Sequence, residues 1–110
     1  MPGMTIEALS QEMLAAAKSI FKEQWPFMES FATPEFNKLA MTILQIRNLT
    51  DNEQIGEGEA LVILEMQKHV ARGVMTSREG AGLLKVEQVI NSGLGMVKNS
   101  VNTTLGFPLI

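Results

Sequence analysis

The sequence lacks cysteine and tyrosine, and His69 is its only histidine. The absence of cysteine excludes disulfides, thiolate nucleophiles and cysteine-bound metals. Glu65 lies one helical turn before His69, but two ligands are fewer than the three or four that a protein zinc site needs. The G-x-S-x-G motif of serine hydrolases is also absent. These absences predict a protein that is not an enzyme and that holds no metal and no cofactor.

Charged residues are scarce, and the few bases are not clustered. The chain has nine lysines and arginines against twelve acids, for a net charge of −3. Binding to the phosphates of DNA or RNA requires a clustered basic surface, so we expect no nucleic-acid partner. Between Gln88 and Ile110 the only charged side chain is Lys98. This segment is therefore expected to pack against the core, a partner or a membrane surface.

Long hydrophobic runs are missing as well. The apolar stretch at residues 60–64 is only five residues long, whereas about 20 apolar residues are needed to span a bilayer. The first residues do not show a basic segment followed by an apolar run, which is the pattern of a secretory signal. We therefore expect no membrane span and a cytoplasmic location.

The sequence does contain helical periodicity, because its apolar residues recur at intervals of three and four and not in alternation. The pattern predicts four helices, at about 5–25, 33–51, 57–75 and 78–102. We therefore predict an all-α fold: a compact bundle of four helices, within a range of three to five, that homo-oligomerisation could complete. Residues 1–110 form one predicted domain, with a short apolar tail at 105–110.

Local signals predict where the helices begin and end. Thr5 is the predicted N-cap of the first helix, and Pro26 is expected to stop or kink it because proline lacks the amide hydrogen. The second helix is predicted to begin at Thr33-Pro34-Glu35, and the fourth at a capping box formed by Thr76-Ser-Arg-Glu79.

Two glycines inside the predicted fourth helix, Gly93 and Gly95, need an explanation. Each costs roughly 1 kcal/mol of helix stability relative to alanine. One interpretation is that another helix approaches the chain closely at this point. The other is that the helix breaks there and leaves a short fifth element.

The second half of the chain has more apolar faces than a lone bundle of this size is expected to cover. Large exposed apolar patches are rare on monomers, so the surplus should lie at an interface. We therefore predict a non-enzymatic helical module for protein–protein interaction or assembly, which self-associates as a homodimer or higher oligomer, or docks another protein. The predicted interface residues are Leu83, Val86, Ile90, Leu94 and Val97 of the fourth helix, with Phe107 and Leu109 of the tail.

The aromatic residues suggest an alternative function. Five of the six aromatic side chains lie between Phe21 and Phe36. The alternative is a carrier or sensor that holds a small apolar ligand between helices. The predicted lining of that pocket is Phe21, Trp25, Phe31 and Met66. The competing interpretation is that the aromatic cluster fills the corner where two helices meet.

Overall fold

The described part of the chain forms four α-helices. A computed structural model describes residues 4–76 and 82–110. The helices are α1 (Ile6–Phe21), α2 (Trp25–Asp51), α3 (Glu57–Thr76) and α4 (Leu83–Leu105), with a turn of 3-10 helix at Lys22–Gln24 between α1 and α2. Neither described range contains a β-strand, and the predicted all-α bundle is confirmed.

The helices run up and down in sequence order. Ser10 of α1 donates a hydrogen bond to Asn37 of α2, and Arg72 of α3 forms an ion pair with Glu87 of α4. In both cases the two partners lie at matching sequence distances from the residues between their helices, so each pair of helices is antiparallel. The helix α4 returns along α1 and closes the bundle.

The helices of the described residues pack unevenly against one another. The helix α1 packs against both α2 and α4, and α2 also meets α4 across the diagonal of the bundle. Within the described residues, by contrast, no Cα atom of α1 lies within 8 Å of a Cα atom of α3. The bundle is therefore flattened, with extents of 42 × 28 × 18 Å. As a result, α3 packs mainly on α2 and has less cover than the other helices.

The helix α2 begins earlier than predicted and passes through Pro34. Pro26, the predicted stop, lies in the first turn of α2, where the missing amide hydrogen is not needed. The break falls before it, since α1 ends at Phe21 and the chain turns at Lys22, which has φ 52°. Pro34 is exposed, whereas Ala32 and Phe36 on either side are fully buried. Packing of the buried stripe outweighs the roughly 3 kcal/mol that an interior proline costs a helix.

Other predicted boundaries can also be compared with the structure. The hydroxyl of Thr5 accepts a hydrogen bond from the Ala8 amide at 3.1 Å, so Thr5 is the N-cap as predicted. The predicted capping box is wrong, because Thr76 is the last residue of α3 and its hydroxyl donates to the Arg72 carbonyl at 2.7 Å. Residues 77–79 of that motif lie outside the described residues. The N-cap of α4 is Gly82.

The helix α4 is continuous through its two glycines, which excludes the predicted break. Gly93 is buried where α4 meets α1 and α2. A Cβ atom on Gly93 would lie 2.9 Å from Cε1 of Phe36 and 3.4 Å from Cβ of Met13. Gly95 is exposed, and a Cβ atom there would meet nothing within 4 Å. Close approach of neighbouring helices therefore explains Gly93 and does not explain Gly95.

The tail folds back onto its own bundle. Gly106 ends α4 in the left-handed conformation, with φ 82°, which glycine adopts without steric cost. The side-chain oxygen of Asn102 then accepts hydrogen bonds from the amides of Leu109 and Ile110 at 3.0 and 3.1 Å. Its side-chain nitrogen donates to the Ile110 carbonyl at 3.2 Å. These bonds hold Phe107 and Leu109 in buried positions.

Asn102→Ala is expected to loosen the tail and to lower the free energy of unfolding by about 1–2 kcal/mol, because three hydrogen bonds are lost at a partly buried site. Chemical denaturation followed by circular dichroism measures the loss. Asn99→Ala is the matched control, since Asn99 is exposed on the same helix. Equal destabilisation by both variants would contradict a role for Asn102 in holding the tail.

Candidate interaction surface

The residues predicted to form the interface are mostly taken up by the chain's own core. Only Leu83 is exposed, at 57% of its full accessibility. The other six predicted interface residues are buried within the single chain: Val86, Ile90, Leu94, Val97, Phe107 and Leu109. The expectation that these side chains await a partner is therefore corrected, because α1 covers one side of α4 and the tail covers its end. They are not accessible to a partner in this arrangement.

The four residues proposed to line a ligand pocket lie on three different helices. Phe21 is buried and stacks on Trp25, with ring centroids 6.4 Å apart, at the corner between α1 and α2. Phe31 packs edge-on against Phe27 at 5.7 Å, more than a turn further along α2. Met66 lies on α3, a different helix. The arrangement matches the interpretation in which the aromatic residues fill a helix corner.

Among the described residues, α3 carries four of the ten exposed large apolar side chains, and α4 carries three. The helix α3 buries only a narrow stripe, made of Ala60, Leu64, Ala71 and Met75. Val62, Met66 and Val70 follow one another at intervals of four residues, which places them along one side of the helix. All three are exposed, Met66 at 63%. This apolar side of α3 therefore faces away from the bundle.

A groove between α2 and α3 borders these side chains. It has a volume of about 260 Å³ and is lined by Thr42, Gln45, Ile63, Met66, Gln67 and Val70. The exposed Met41 precedes this lining on α2. We call the exposed and groove-lining side chains together the α2–α3 surface: Met41, Thr42 and Gln45 of α2 with Val62, Ile63, Met66, Gln67 and Val70 of α3.

Two polar side chains, Glu35 on α2 and Gln67 on α3, have buried atoms. The carboxylate of Glu35 is almost fully buried, and one of its oxygens accepts from the Lys38 ammonium at 3.0 Å. Among the described residues, the other Glu35 oxygen and the side-chain nitrogen of Gln67 have no hydrogen-bond partner. An unpaired buried polar group opposes packing, and Gln67 is such a group on the side of α3 that meets α2.

A second groove lies between α1 and α4, with a volume of about 390 Å³. Small side chains form most of its lining, which consists of Ala15, Ala16, Ser19, Ile20, Ser92 and Met96. Met96 is 56% exposed. The groove offers no charged group, and its two serine hydroxyls are its polar side-chain groups.

Charges on α3 are divided between its two halves. Acids occupy the first half (Glu57, Glu59 and Glu65), and bases with the histidine occupy the second (Lys68, His69 and Arg72). Lys68 pairs with Glu65 at 3.0 Å within the helix. Arg72 pairs with Glu87 of α4 and also approaches Nδ1 of His69 at 2.6 Å. The described residues contain no group of three histidine, aspartate or glutamate side chains that could hold a metal ion.

The helix α3 lies at the side of the bundle and leaves part of its apolar surface exposed. The chain matches no protein-family model, and neither a curated protein nor a solved structure matches it. In the part of the chain that the structure describes, no helix combines the length and hydrophobicity needed to cross a membrane.

Proposed function

We propose that this protein is a non-enzymatic helical interaction module that self-associates through the α2–α3 surface. The observation that carries the proposal is the row of exposed apolar side chains at Val62, Met66 and Val70, beside the groove between α2 and α3. Contiguous exposed apolar surface is typical of protein interfaces. Methionine adapts its shape to a partner, so Met66 is suited to fill a hole on the opposite surface.

This proposal keeps the predicted function but assigns it to a different surface of the molecule. The fourth helix and the tail were expected to supply the contact, but six of the seven side chains named there are buried within the chain. A row of exposed apolar side chains lies on α3, where packing against α2 leaves one side uncovered. Since the exposed row is short, it is smaller than the roughly 800 Å² per partner of a standard stable interface, and we expect a weak, reversible dimer.

Met66→Glu is expected to raise the dimer dissociation constant at least tenfold, or about 1.4 kcal/mol, because a charge would be buried at the centre of the contact. Sedimentation equilibrium over a wide concentration range measures the constant. The wild-type mass should rise above the 12.1 kDa of one chain as concentration increases.

Met96→Glu provides the matched control for this substitution. Met96 is similarly exposed but belongs to the groove between α1 and α4. Its dissociation constant should stay within about twofold of the wild-type value, since rim and distant charges contribute little to affinity. A wild-type chain that remains monomeric at every accessible concentration, or equal weakening by both variants, would refute the proposal.

A carrier of small apolar molecules is the second candidate, and the groove between α1 and α4 favours it. Its volume of about 390 Å³ falls in the range of small-molecule sites. Native mass spectrometry of freshly purified protein tests this function through a retained ligand. Ser92→Trp would fill the groove and abolish retention, whereas Gln45→Trp at the α2–α3 surface would not.

A further inference from the structure

We propose that two copies of this chain meet through antiparallel α3 helices, with a two-fold axis passing at Met66. The proposal rests on the self-association proposed above and adds its geometry. Homodimers are most often two-fold symmetric, and such an interface must be complementary to itself. The apolar row and the charges of α3 both meet this requirement in the antiparallel arrangement.

The apolar row is symmetric about Met66. Val62 lies four residues before Met66, and Val70 lies four residues after it. When a second α3 runs in the opposite direction about this point, Met66 meets Met66 of the other copy. Val62 of each copy then meets Val70 of the other. Two valine–valine contacts therefore flank one methionine–methionine contact. The three side chains that each copy contributes are exposed in the single chain.

The charges of α3 favour the antiparallel direction over the parallel one. Residues 57–66 carry three acids and no base, and residues 67–76 carry two bases, a histidine and no acid. An antiparallel pair places the acidic half of each helix beside the basic half of the other, although Lys68 and Arg72 also pair with Glu65 and Glu87 of their own chain. The antiparallel direction also opposes the two helix dipoles. A parallel pair would place acids beside acids along the first half, which is destabilising.

The ends of the contact are compatible with the same register. Glu59, one turn before Val62, would lie opposite Gly73 of the second copy. Gly73 is exposed, and a Cβ atom there would meet nothing within 4 Å. The glycine therefore leaves room for the stem of the glutamate, whose carboxylate accepts a hydrogen bond from the Gly56 amide at 3.0 Å. A bulkier residue at position 73 would push the two helix ends apart.

Single cysteines test the geometry directly, because the natural chain has none. A disulfide forms only when the two Cα atoms are about 4.4–6.8 Å apart. Met66→Cys should link two copies through the two-fold axis. Val62→Cys and Val70→Cys should each fail to link alone, since equivalent positions are then about 12 Å apart along the helix axis. An equimolar mixture of those two variants should form the mixed disulfide.

The variants are oxidised in glutathione buffer, at a protein concentration at which sedimentation shows the wild-type dimer. Met96→Cys measures how much disulfide forms by random collision. The valine variants retain Met66, so their mixture tests the register even if Met66→Cys weakens association. Efficient linking of Val62→Cys with itself, with no gain in the mixture, would overturn the antiparallel register but leave self-association intact. If neither Met66→Cys nor the mixture of the two valine variants forms more disulfide than Met96→Cys, the proposal that two α3 helices form the contact is wrong. A wild-type chain that never dimerises would refute the proposed function itself.

Discussion

Phe36→Ala is expected to lower the free energy of unfolding by about 3–5 kcal/mol, the range measured when a fully buried phenylalanine is truncated in a protein core. Phe36 is 0% exposed and its ring lies against Gly93, where α2 meets α4 across the bundle. Truncation would leave a cavity at the point where α1, α2 and α4 come together. Chemical denaturation followed by circular dichroism measures the change.

Phe27→Ala is the matched control for this truncation. Phe27 lies on the same helix but is 52% exposed, and its aromatic contact is an edge-on packing with Phe31. Its loss should cost no more than about 1.5 kcal/mol, since little area returns to water and one aromatic pair is lost. Similar destabilisation by both variants would mean that the diagonal contact between α2 and α4 does not stabilise the fold.

Gly93→Val is expected to destabilise the fold by about 3 kcal/mol, because overpacking a tight contact forces side chains and backbone apart. Already the first added carbon would lie 2.9 Å from the Phe36 ring. Gly95→Val should change stability by no more than about 0.5 kcal/mol, because valine is a slightly better helix former than glycine and the site is open. Thermal denaturation of the two variants gives the comparison.

The two core substitutions should be coupled. The cavity left by Phe36→Ala can accept the valine at position 93. The double variant should therefore lose at least about 1 kcal/mol less free energy of unfolding than the two single variants lose together. Strict additivity would contradict direct packing between these two positions. The double variant therefore separates steric overpacking at Gly93 from a general effect of valine on α4.

Stability and association should respond to different helices. Substitutions at the junction of α1, α2 and α4 are expected to change the free energy of unfolding, as argued for Phe36 and Gly93. Substitutions at Met66 are expected to change association and to leave the monomer folded, because that side chain is 63% exposed. This division follows from the flat bundle, in which α3 is the helix with the least cover.

Helix positions could be predicted in part, and the reasons differ from one helix to the next. The third helix was predicted at 57–75 and is observed at Glu57–Thr76, because its period and the glycine-rich turn before it act locally. The second helix was predicted to begin at Thr33, but it begins at Trp25. A local rule about proline failed at Pro34 because packing of the residues around it provides more free energy than the lost hydrogen bond.

The candidate surface was less predictable than the fold. Periodicity shows that the side chains of α3 and α4 form apolar rows, but it does not show which row meets another part of the chain. Val86 and Val62 look alike in the sequence. The first is buried, and the second is exposed on the outer side of α3. Only the neighbours of each helix distinguish them.

Composition and spacings of three and four residues are enough to establish the helical class, the absence of cysteine chemistry and the apolar rows. Which of those rows are covered depends on the tertiary structure. Gly93 lets α2 and α4 meet across the diagonal, and Asn102 folds the tail back onto α4. These contacts bury the main apolar row of α4 and the tail, and they leave α3 at the side. Burial depends on which residues from distant parts of the chain come into contact, and a local pattern does not contain that information.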